Sequence, residues 1–286
     1  MEKISVVTGA SGGMGYYTAK YAGERSTVLI TDISADRVER TLKQLREEGV
    51  TCEGMVADVS KREDVKALAE KANEMGQIIA VYSVAGLSPS NGFPGEQIMR
   101  TNAFSVVYIN EEFSKYMTGG CFLNVASSTA YMLPEEKLPL QVFDLALTDI
   151  EGFEKAMVGM SEKAGMAYAM SKSFVKYYTK KSAFIRGRGQ NNRVVSVSPG
   201  VIDTKMTQNA ESDRAKASSL SFCALNRIGT PKELAFSFVA LADEHNSFVN
   251  GVDVLVDGGC FCEGYNGMNF RGQEQTMTAE EMAMKK

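Results

Sequence analysis

Tyr168 and Lys172 are four residues apart, and if residues 165–187 form a helix they lie one above the other on one face. A phenol alone is a poor acid–base group near neutrality, because its ordinary pKa is about 10. A neighbouring ammonium stabilises the phenolate and lowers that pKa, which would let the pair exchange a proton with an alcohol or carbonyl oxygen. Taken alone, the five residues favour a simpler interpretation, an amphipathic helix with one aromatic residue and one solvated cation. Motifs elsewhere in the chain have to decide between an acid–base pair and an ordinary amphipathic helix.

The composition of the chain limits the functions to consider. Its 286 residues can form one α/β domain with a full core or two small domains, and a content of 44% hydrophobic and 23% charged residues is typical of a globular protein. The net charge of −4 gives no electrostatic basis for binding nucleic acid or an anionic membrane, and no run is apolar enough to span a bilayer. The N-terminus enters a strand directly and lacks the regions of a signal peptide. We therefore expect a cytoplasmic protein that acts on a small molecule.

Cysteine and histidine offer little chemistry in this chain. Cys52 and Cys121 fall in or beside apolar, strand-like runs, which favours buried and reduced thiols. Cys260 and Cys262 are the one close pair of cysteines, and with His245 as the sole histidine we expect no metal site. The scarcity of histidine also argues against Ser–His nucleophilic chemistry, unless His245 supplies it.

A glycine-rich turn follows the first apolar run, residues 4–8. It reads Gly9-Ala-Ser-Gly-Gly-Met-Gly15 and leads into a helical pattern that continues to about Arg25. Strand, glycine turn and helix in this order are the context of a phosphate-binding turn. Gly9 permits the tight turn, Gly13 lets the backbone approach a pyrophosphate, and Gly15 allows close packing of helix on strand. Without a ligand, the same residues are simply a glycine-rich turn.

Asp32 closes the second predicted strand, Thr27–Thr31, and lies 17 residues after Gly15. A carboxylate at this position can accept hydrogen bonds from the adenosine ribose and repels a 2′-phosphate, which predicts NAD(H) as the cofactor. Asp32 also begins a turn before the helix predicted over 34–48, and this is compatible with that role. Arg37 in the same helix keeps NADP(H) as the alternative.

Strands and helices continue to alternate along the chain. Further short apolar runs predict strands over residues 51–56, 78–84, 120–126, 193–198 and 252–256. Helical patterns cover residues 61–75, 95–117, 165–187 and 231–244. Short connections between these elements predict an α/β protein with one doubly wound parallel sheet and helices on both faces. The carboxyl edge of such a sheet binds ligands. It would gather Gly9–Gly15, Asp32, Asp58, Gly86, Ser127 and Pro199-Gly200.

Two segments are additional to this alternation of strands and helices. Residues 133–163 form an insertion before the Tyr168 helix, and from Asp144 to Glu162 its apolar residues have helical spacing. We expect this insertion either to cover a substrate pocket or to alter which helices meet at a subunit interface. Residues 1–263 are expected to form a single domain. Residues 264–286 form a tail rich in Gly, Asn, Gln and Met, which we interpret as surface decoration.

Together the motifs resemble the short-chain dehydrogenase/reductase family over about residues 3–260. The resemblance implies a single-domain, Rossmann-type doubly wound sheet, NAD(H) as cofactor, hydride transfer between a secondary alcohol and a ketone, and a homodimer or homotetramer. The catalytic residues that it implies are Ser127, Tyr168, Lys172 and Asn102. The cofactor-binding residues that it implies are Gly9, Ser11, Gly13, Met14, Gly15, Asp32, Asp58, Val59, Ala85, Gly86, Tyr168, Lys172, Pro199, Gly200, Val201, Ile202 and Thr204.

The implied mechanism assigns each catalytic residue a role. Tyr168 would protonate the carbonyl oxygen during reduction, and Ser127 would hydrogen-bond the same oxygen. Lys172 would lower the Tyr168 pKa and hold the cofactor ribose, and Asn102 would support a water that links Lys172 to solvent. Ser128 replaces Ser127 if the strand end is shifted by one residue.

The chain departs from the family pattern at several points. Ser83-Val-Ala-Gly86 stands where the family has Asn-Asn-Ala-Gly, so a sheet-supporting Asn is absent. Only 16 residues separate Gly86 from Asn102, and 41 separate Ser127 from Tyr168. These spacings resemble the bacterial 3α-hydroxysteroid dehydrogenase/carbonyl reductase branch. The glycine turn also has the Gly-x-x-Gly-x-x-Gly spacing of the epimerase-like branch, but the chain length and the Asp-Gly-Gly259 ending argue against that branch.

The substrate pocket is expected beneath residues 203–226 and beside 88–96 and 133–160. The apolar residues available there are Leu87, Phe93, Met132, Leu133, Met170, Met206, Leu220 and Phe222. They suit a bulky apolar substrate, with a hydroxysteroid or bile acid as the leading hypothesis. For Met170 and Leu87 a place in the core is an equal alternative. A reductase of a sugar alcohol or acyl-chain ketone, and a non-catalytic NAD-binding sensor, remain as other hypotheses.

Overall fold

The computed structural model describes residues 1–204, 207, 217 and 223–261. Its strands are β1 (Lys3–Thr8), β2 (Thr27–Asp32), β3 (Cys52–Val56), β4 (Gln77–Ser83), β5 (Cys121–Val125), β6 (Arg193–Pro199) and β7 (Asp253–Val256). They form one sheet in the order β3-β2-β1-β4-β5-β6-β7. Every neighbouring pair is parallel, which confirms the predicted doubly wound α/β sheet. The reversal of strand order between β1 and β4 opens a crevice at the carboxyl edge, where ligands of such sheets bind.

Helices cover both faces of the sheet. They are α1 (Gly13–Ala22), α2 (Ala35–Glu47), α3 (Arg62–Met75), α4 (Gly95–Met99), α5 (Ser105–Ser114), α6 (Leu140–Leu145), α7 (Ile150–Gly159), α8 (Ala164–Gly187) and α9 (Pro231–Ala242). One core cluster joins the sheet to α3, α5 and α8, and the other joins it to α1, α2 and α9. All five residues of β5 are buried, as expected for a strand covered on both faces. Cys52 and Cys121 are buried and unbridged, and burial raises the pKa of both thiols.

The insertion, residues 133–163, contributes buried side chains to the core. Phe153 of α7 is fully buried, and its ring lies 5.4 Å from that of Phe104 and 4.6 Å from that of Phe174 on α8. Phe143 of α6 packs on the same Phe174 ring at 5.3 Å. The insertion therefore braces the helix that carries Tyr168.

The helical apolar spacing from Asp144 to Glu162 is divided between two helices in the structure. The chain forms two helices, α6 and α7, because residues 146–149 turn between them and the Asp149 side chain accepts a hydrogen bond from Gly152 N at the start of α7. A carboxylate at this position caps the new helix and fixes its first residue.

The helix predicted over 95–117 is also not regular. A π-helical turn, Arg100–Phe104, joins α4 to α5, and α5 ends at Ser114. Such turns insert an extra residue into a helix and often occur at functional sites. The apolar periodicity of the segment does not reveal it.

Most of the predicted loop 203–226 and the tail 264–286 lie outside the described residues. Within the part of the chain that the structure describes, no helix combines the length and apolar character needed to cross a membrane.

Candidate active site

Ser127, Tyr168 and Lys172 meet at the carboxyl end of β5. Ser127 lies two residues beyond the strand and is 8% exposed, and its hydroxyl lies near the half-buried Tyr168 phenol, where it favours the phenolate. Lys172, one turn further along α8, is 5% exposed and donates from Nζ to the Val125 carbonyl at 2.8 Å. The three side chains thus form a compact polar group that is largely withdrawn from water. Ser128 is half-buried and begins a short 3₁₀ turn, Ser128–Tyr131.

Burial dominates the proton affinities of this group. It raises the pKa of Tyr168, while the nearby Ser127 hydroxyl acts in the opposite direction. Burial also lowers the pKa of Lys172 to about 8. The expectation that Lys172 lowers the Tyr168 pKa is wrong for the protein alone. The Lys172 Nζ lies 5.9 Å from the Tyr168 ring centroid and hydrogen-bonds the Val125 carbonyl, so loss of water around the phenol prevails.

Asn102 lies in the π-helical turn and faces the same group. Its Oδ1 accepts from Leu87 N at 2.8 Å, and its Nδ2 donates to Leu87 O at 3.0 Å. A Cβ atom placed on Gly86 would sit 3.3 Å from Asn102 Oδ1 and 3.7 Å from Lys172 Nζ. Gly86 therefore leaves the space in which the asparagine and the lysine approach each other. The π-helical turn is what brings Asn102 to the end of β4 across the short spacing seen in the sequence.

Thr8 supports the chain that leaves β4. Its Oγ1 accepts hydrogen bonds from Val84 N at 3.1 Å and Ala85 N at 3.2 Å, and donates to Tyr82 O at 3.4 Å. Thr8 thereby ties the end of β1 to the chain that leaves β4. The sequence analysis missed this role, although a hydroxyl residue at the end of a buried strand was a usable signal.

The glycine turn brings backbone close to backbone. Gly9 has φ of +64°, and a Cβ there would lie 2.7 Å from the Ala85 Cα. A Cβ on Gly15 would overlap the Gly9 carbonyl oxygen, so Gly15 lets the start of α1 pack closely on the turn that follows β1. Gly13 is exposed, and a Cβ there would touch Pro231 and Thr204, so this glycine also makes room for the start of α9.

The N-terminus of α1 is left without a side-chain cap. Its N-cap residue is Gly12, whereas Ser34 and Thr230 accept hydrogen bonds from the first turns of α2 and α9. Uncapped N–H groups and the positive end of a helix dipole form an anion site. The turn, with Gly13, Met14 and Gly15 opening the helix, therefore fits the diphosphate of a dinucleotide.

Asp32 and its neighbours form the far end of the cofactor crevice. The Asp32 side chain is 9% exposed, and its Oδ1 lies 2.9 Å from an Arg37 guanidinium nitrogen. The same oxygen accepts a 3.4 Å hydrogen bond from Ser34 N. Asp32, which predicts NAD(H), and Arg37, which keeps NADP(H) as the alternative, thus form an ion pair with each other. Ser11, at the glycine turn, accepts a hydrogen bond from Thr41 Oγ1 at 3.1 Å.

Asp58 and Val59 follow β3 at the same edge. Asp58 Oδ1 accepts from Ser60 N at 3.0 Å and from Ser60 Oγ at 2.6 Å, which holds the turn. Val59 is 6% exposed and packs into the core, so it presents backbone more than side chain to the crevice.

Residues 199–204 leave β6 and are fixed from two sides. Gly200 N donates to Val256 O at 2.9 Å, and a Cβ on Gly200 would lie 2.7 Å from the Asp257 Cα. Ile202 forms a bridge with Gly229, and Thr204 N donates to Thr207 Oγ1 at 3.0 Å. Val201 lies between these anchors. The segment predicted to hold the nicotinamide is therefore rigidly placed at the carboxyl edge.

The residues predicted to line a substrate pocket divide into three groups. Met170 is 9% exposed and belongs to the core, which was the alternative considered for it. The partly exposed residues are Leu87, Phe93, Met132 and Leu133. Outside the described residues lie Met206, Leu220 and Phe222.

Comparison with known proteins gives a consistent result. Residues 3–137 match the family model described as short chain dehydrogenase, and residues 153–260 match the one described as enoyl-(acyl carrier protein) reductase. The unmatched residues between them, 138–152, lie in the insertion.

Three curated relatives align along nearly their whole length. The chain is 29% identical to short-chain dehydrogenase/reductase bsc3 of Alternaria brassicicola, covering 91% of this chain and 96% of the relative. It is 27% identical to the 3-oxoacyl-[acyl-carrier-protein] reductase FabG of Thermotoga maritima, covering 90% and 97%. It is 25% identical to 3beta-hydroxysteroid dehydrogenase 2 of Eggerthella lenta, covering 90% and 94%.

One solved structure with the same fold contains a nicotinamide cofactor. A blue fluorescent protein from a metagenomic library, in complex with NADPH, aligns with a TM-score of 0.70 and 22% identity. The alignment covers 91% of this chain and 98% of that one.

Proposed function

The chain belongs to the short-chain dehydrogenase/reductase family, and from that membership we propose that it interconverts a hydroxysteroid or bile acid and the corresponding ketone with NAD(H). As a member of the family it is an oxidoreductase that acts on CH–OH groups. The observation that carries the proposal is the meeting of Ser127, Tyr168 and Lys172 beside Gly86 at the carboxyl edge of the sheet.

The proposed chemistry follows from the protonation of this group. During reduction, Tyr168 gives its proton to the carbonyl oxygen of the substrate, and during oxidation the phenolate takes the proton of the alcohol. Ser127 donates a hydrogen bond to the same oxygen and stabilises the charge that develops there. The raised pKa of Tyr168 keeps the phenol protonated near neutrality, which favours the acid role in the protein alone. A nicotinamide, when bound, accepts or supplies the hydride.

The residues that would hold the cofactor fit a dinucleotide. The uncapped start of α1 offers N–H groups to the diphosphate, and Asp32 stands where ribose hydroxyls would be recognised. Lys172, with Nζ beside Gly86, is the candidate partner of the second ribose. The ion pair of Asp32 with the exposed Arg37 supports NADP(H) as the alternative, because Arg37 could turn towards a 2′-phosphate.

The apolar character of the site edge supports a bulky, weakly polar substrate. Met132 and Leu133 follow the Ser127 turn and are partly exposed, and the Phe261 ring lies 5.9 Å from that of Tyr131. The relative from Eggerthella lenta is a 3beta-hydroxysteroid dehydrogenase, which is consistent with such a substrate. The relative from Thermotoga maritima is a 3-oxoacyl reductase, which favours an acyl-chain ketone as the second candidate. We propose a cytoplasmic homodimer or homotetramer, a state that light scattering can measure.

The test is oxidation of a panel of steroids and bile acids, each with one hydroxyl position, followed by NADH absorbance. A parallel panel holds sugar alcohols and 3-hydroxyacyl thioesters, and each panel is repeated with NADP+. Turnover of a single steroid regioisomer with NAD+ supports the proposal. Turnover only of the thioesters replaces it with the acyl-chain candidate. Binding of NADH without turnover on either panel would instead support a cofactor-binding sensor.

A further inference from the structure

A partly buried carboxylate outside the catalytic group, Asp253, contacts the turn that follows Ser127. Asp253, the first residue of β7, accepts from Tyr131 OH at 2.7 Å and from Ser198 Oγ at 2.8 Å on its Oδ2. Its Oδ1 accepts from Ser196 Oγ at 2.5 Å. Three hydroxyl groups from two separate segments therefore converge on one carboxylate.

The position of Tyr131 gives this contact a consequence for catalysis. Tyr131 ends the short turn that Ser127 caps, since Ser127 Oγ accepts from Thr129 N and donates to Thr129 Oγ1, both at 3.2 Å. Ala130 N donates to Ser127 O at 2.8 Å, which closes the turn. The phenol of Tyr131 thus provides a hydrogen bond that links this turn to β7, the edge strand of the sheet.

The ammonium group of Lys176 lies over the face of the Tyr131 ring. The Lys176 Nζ lies 3.4 Å from the centroid of the Tyr131 ring, and Lys176 is one helical turn beyond Lys172 on α8. Burial lowers the pKa of Lys176, while Asp253 and Glu135 favour its charged form. Burial and the hydrogen bond to Asp253 raise the pKa of Tyr131, with Asp257 adding to the rise, so this phenol remains a donor.

We propose that Tyr131, held by Asp253 and Lys176, is a positioning residue that sets the place of Ser127 relative to Tyr168. This inference rests on the proposed catalytic role of Ser127. It assigns no contact of Tyr131 with the reacting atoms. Loosening the turn that Ser127 caps displaces the Ser127 hydroxyl from the Tyr168 phenol, and this hydroxyl opposes the rise of the Tyr168 pKa. The charged group that faces Tyr168 from its own helix is Lys172.

Tyr131→Phe tests the proposal with little risk to folding. The variant keeps the ring under Lys176, and Asp253 retains Ser196 and Ser198 as donors. The matched control is Tyr177→Phe, which removes another tyrosine–aspartate hydrogen bond, from Tyr177 OH to Asp144 Oδ1 at 2.6 Å, on the insertion side of α8.

For Tyr131→Phe we expect kcat to fall about tenfold, less than the roughly hundredfold cost of misplacing a reacting group by about 1 Å, with the KM for the cofactor unchanged. The rising limb of the pH–rate profile for alcohol oxidation should move to higher pH, because the phenolate of Tyr168 forms less readily. The control should change neither quantity. Asp253→Asn should shift both in the same direction. An unchanged kcat and pH profile in Tyr131→Phe would overturn the proposal.

Amide hydrogen exchange provides a measurement that needs no substrate. Exchange over residues 127–132 should be faster in Tyr131→Phe than in the wild type, and unchanged in Tyr177→Phe. If no substrate in either panel is turned over, the proposed function fails while this measurement still decides whether Tyr131 holds the turn. Equal exchange in the variant and the wild type would refute the positioning role on its own.

Discussion

The two halves of the sheet's carboxyl edge differ in how their polar side chains contribute to function. Beside β1–β3, Asp32 and Asp58 are paired with neighbouring residues, and the capacity to bind comes from glycines and an uncapped helix. Beside β4–β6, Ser127, Tyr168 and Lys172 are withdrawn from water, and burial moves the pKa values of the last two in opposite directions. The first half acts through backbone geometry and the second through desolvated side chains. We call the part beside β1–β3 the binding half and the part beside β4–β6 the catalytic half. A substitution in the binding half should therefore weaken cofactor binding, and a substitution in the catalytic half should lower the rate.

The largest expected effect is in the catalytic half. Tyr168→Phe should lower kcat by about a thousandfold, within the range of general acid–base catalysis, because the ring remains and only the proton donor is lost. The rate is measured by NADH absorbance on the substrate that the panel identifies. Tyr116→Phe, at a more exposed tyrosine, is the control and should retain full activity. More than a tenth of wild-type kcat in Tyr168→Phe would contradict this role.

A glycine substitution should weaken cofactor binding by the binding half. Gly15→Ala places a methyl group on the Gly9 carbonyl oxygen, so the turn has to open. We expect NADH affinity, measured by fluorescence titration, to fall at least about tenfold, and the free energy of unfolding to fall by about 1–3 kcal/mol. Gly159→Ala at the end of α7, where no atom lies within 4 Å of the added methyl group, should change neither. Wild-type affinity in Gly15→Ala would refute the phosphate-binding assignment.

A change at Asp32 should alter the choice of cofactor more than the rate. Asp32→Ala removes the charge that repels a 2′-phosphate and releases Arg37, so the ratio of kcat/KM for NAD+ over NADP+ should fall about tenfold. Arg37→Gln is the companion variant and should move the ratio the other way. An unchanged ratio in Asp32→Ala would show that the specificity lies elsewhere.

The last expected effect concerns stability and leaves the catalytic rate aside. Lys172 has a pKa of about 8 in the folded protein, below its ordinary value of 10.5, so the unfolded chain binds the proton more tightly between these values. The free energy of unfolding should therefore rise with pH across this window, by at most about 3 kcal/mol at about 1.4 kcal/mol per pKa unit.

Lys172→Met tests this stability effect directly. The variant should lack the rise, so its stability relative to the wild type should decrease from about pH 7 to about pH 10 in urea unfolding. Lys180→Met, at an exposed position of the same helix, should leave the rise intact. An identical rise in Lys172→Met would show that Lys172 is not its source.

The sequence was sufficient for the sheet and for the binding half. Each predicted strand agrees with the structure to within one residue at either end, because a sheet buried on both faces requires apolar runs. The glycine spacing was informative for a similar reason, since Gly9 and Gly15 leave no room for a Cβ atom. These features are encoded locally.

The catalytic half depended on contacts that no local pattern encodes. The π-helical turn at Asn102 interrupts the segment that apolar periodicity predicted as one long helix, residues 95–117. The direction of the Tyr168 pKa was missed because i to i+4 spacing does not report burial or the 2.8 Å hydrogen bond of Lys172 to Val125. The support given by Thr8 likewise arises only when β1 and β4 become neighbours.

The most direct test of the separation between the two halves is a pair of serine variants. Ser127→Ala should lower kcat about a hundredfold while the NADH dissociation constant stays within about twofold of wild type, because the lost hydroxyl serves the reacting oxygen, the Tyr168 phenol and the turn that Ser127 caps, and not the cofactor crevice beside β1–β3. Ser128→Ala, one residue further along, should resemble the wild type in both quantities. If Ser128→Ala loses the activity instead, or if Ser127→Ala loses NADH affinity together with kcat, the division of the edge into a binding half and a catalytic half is wrong.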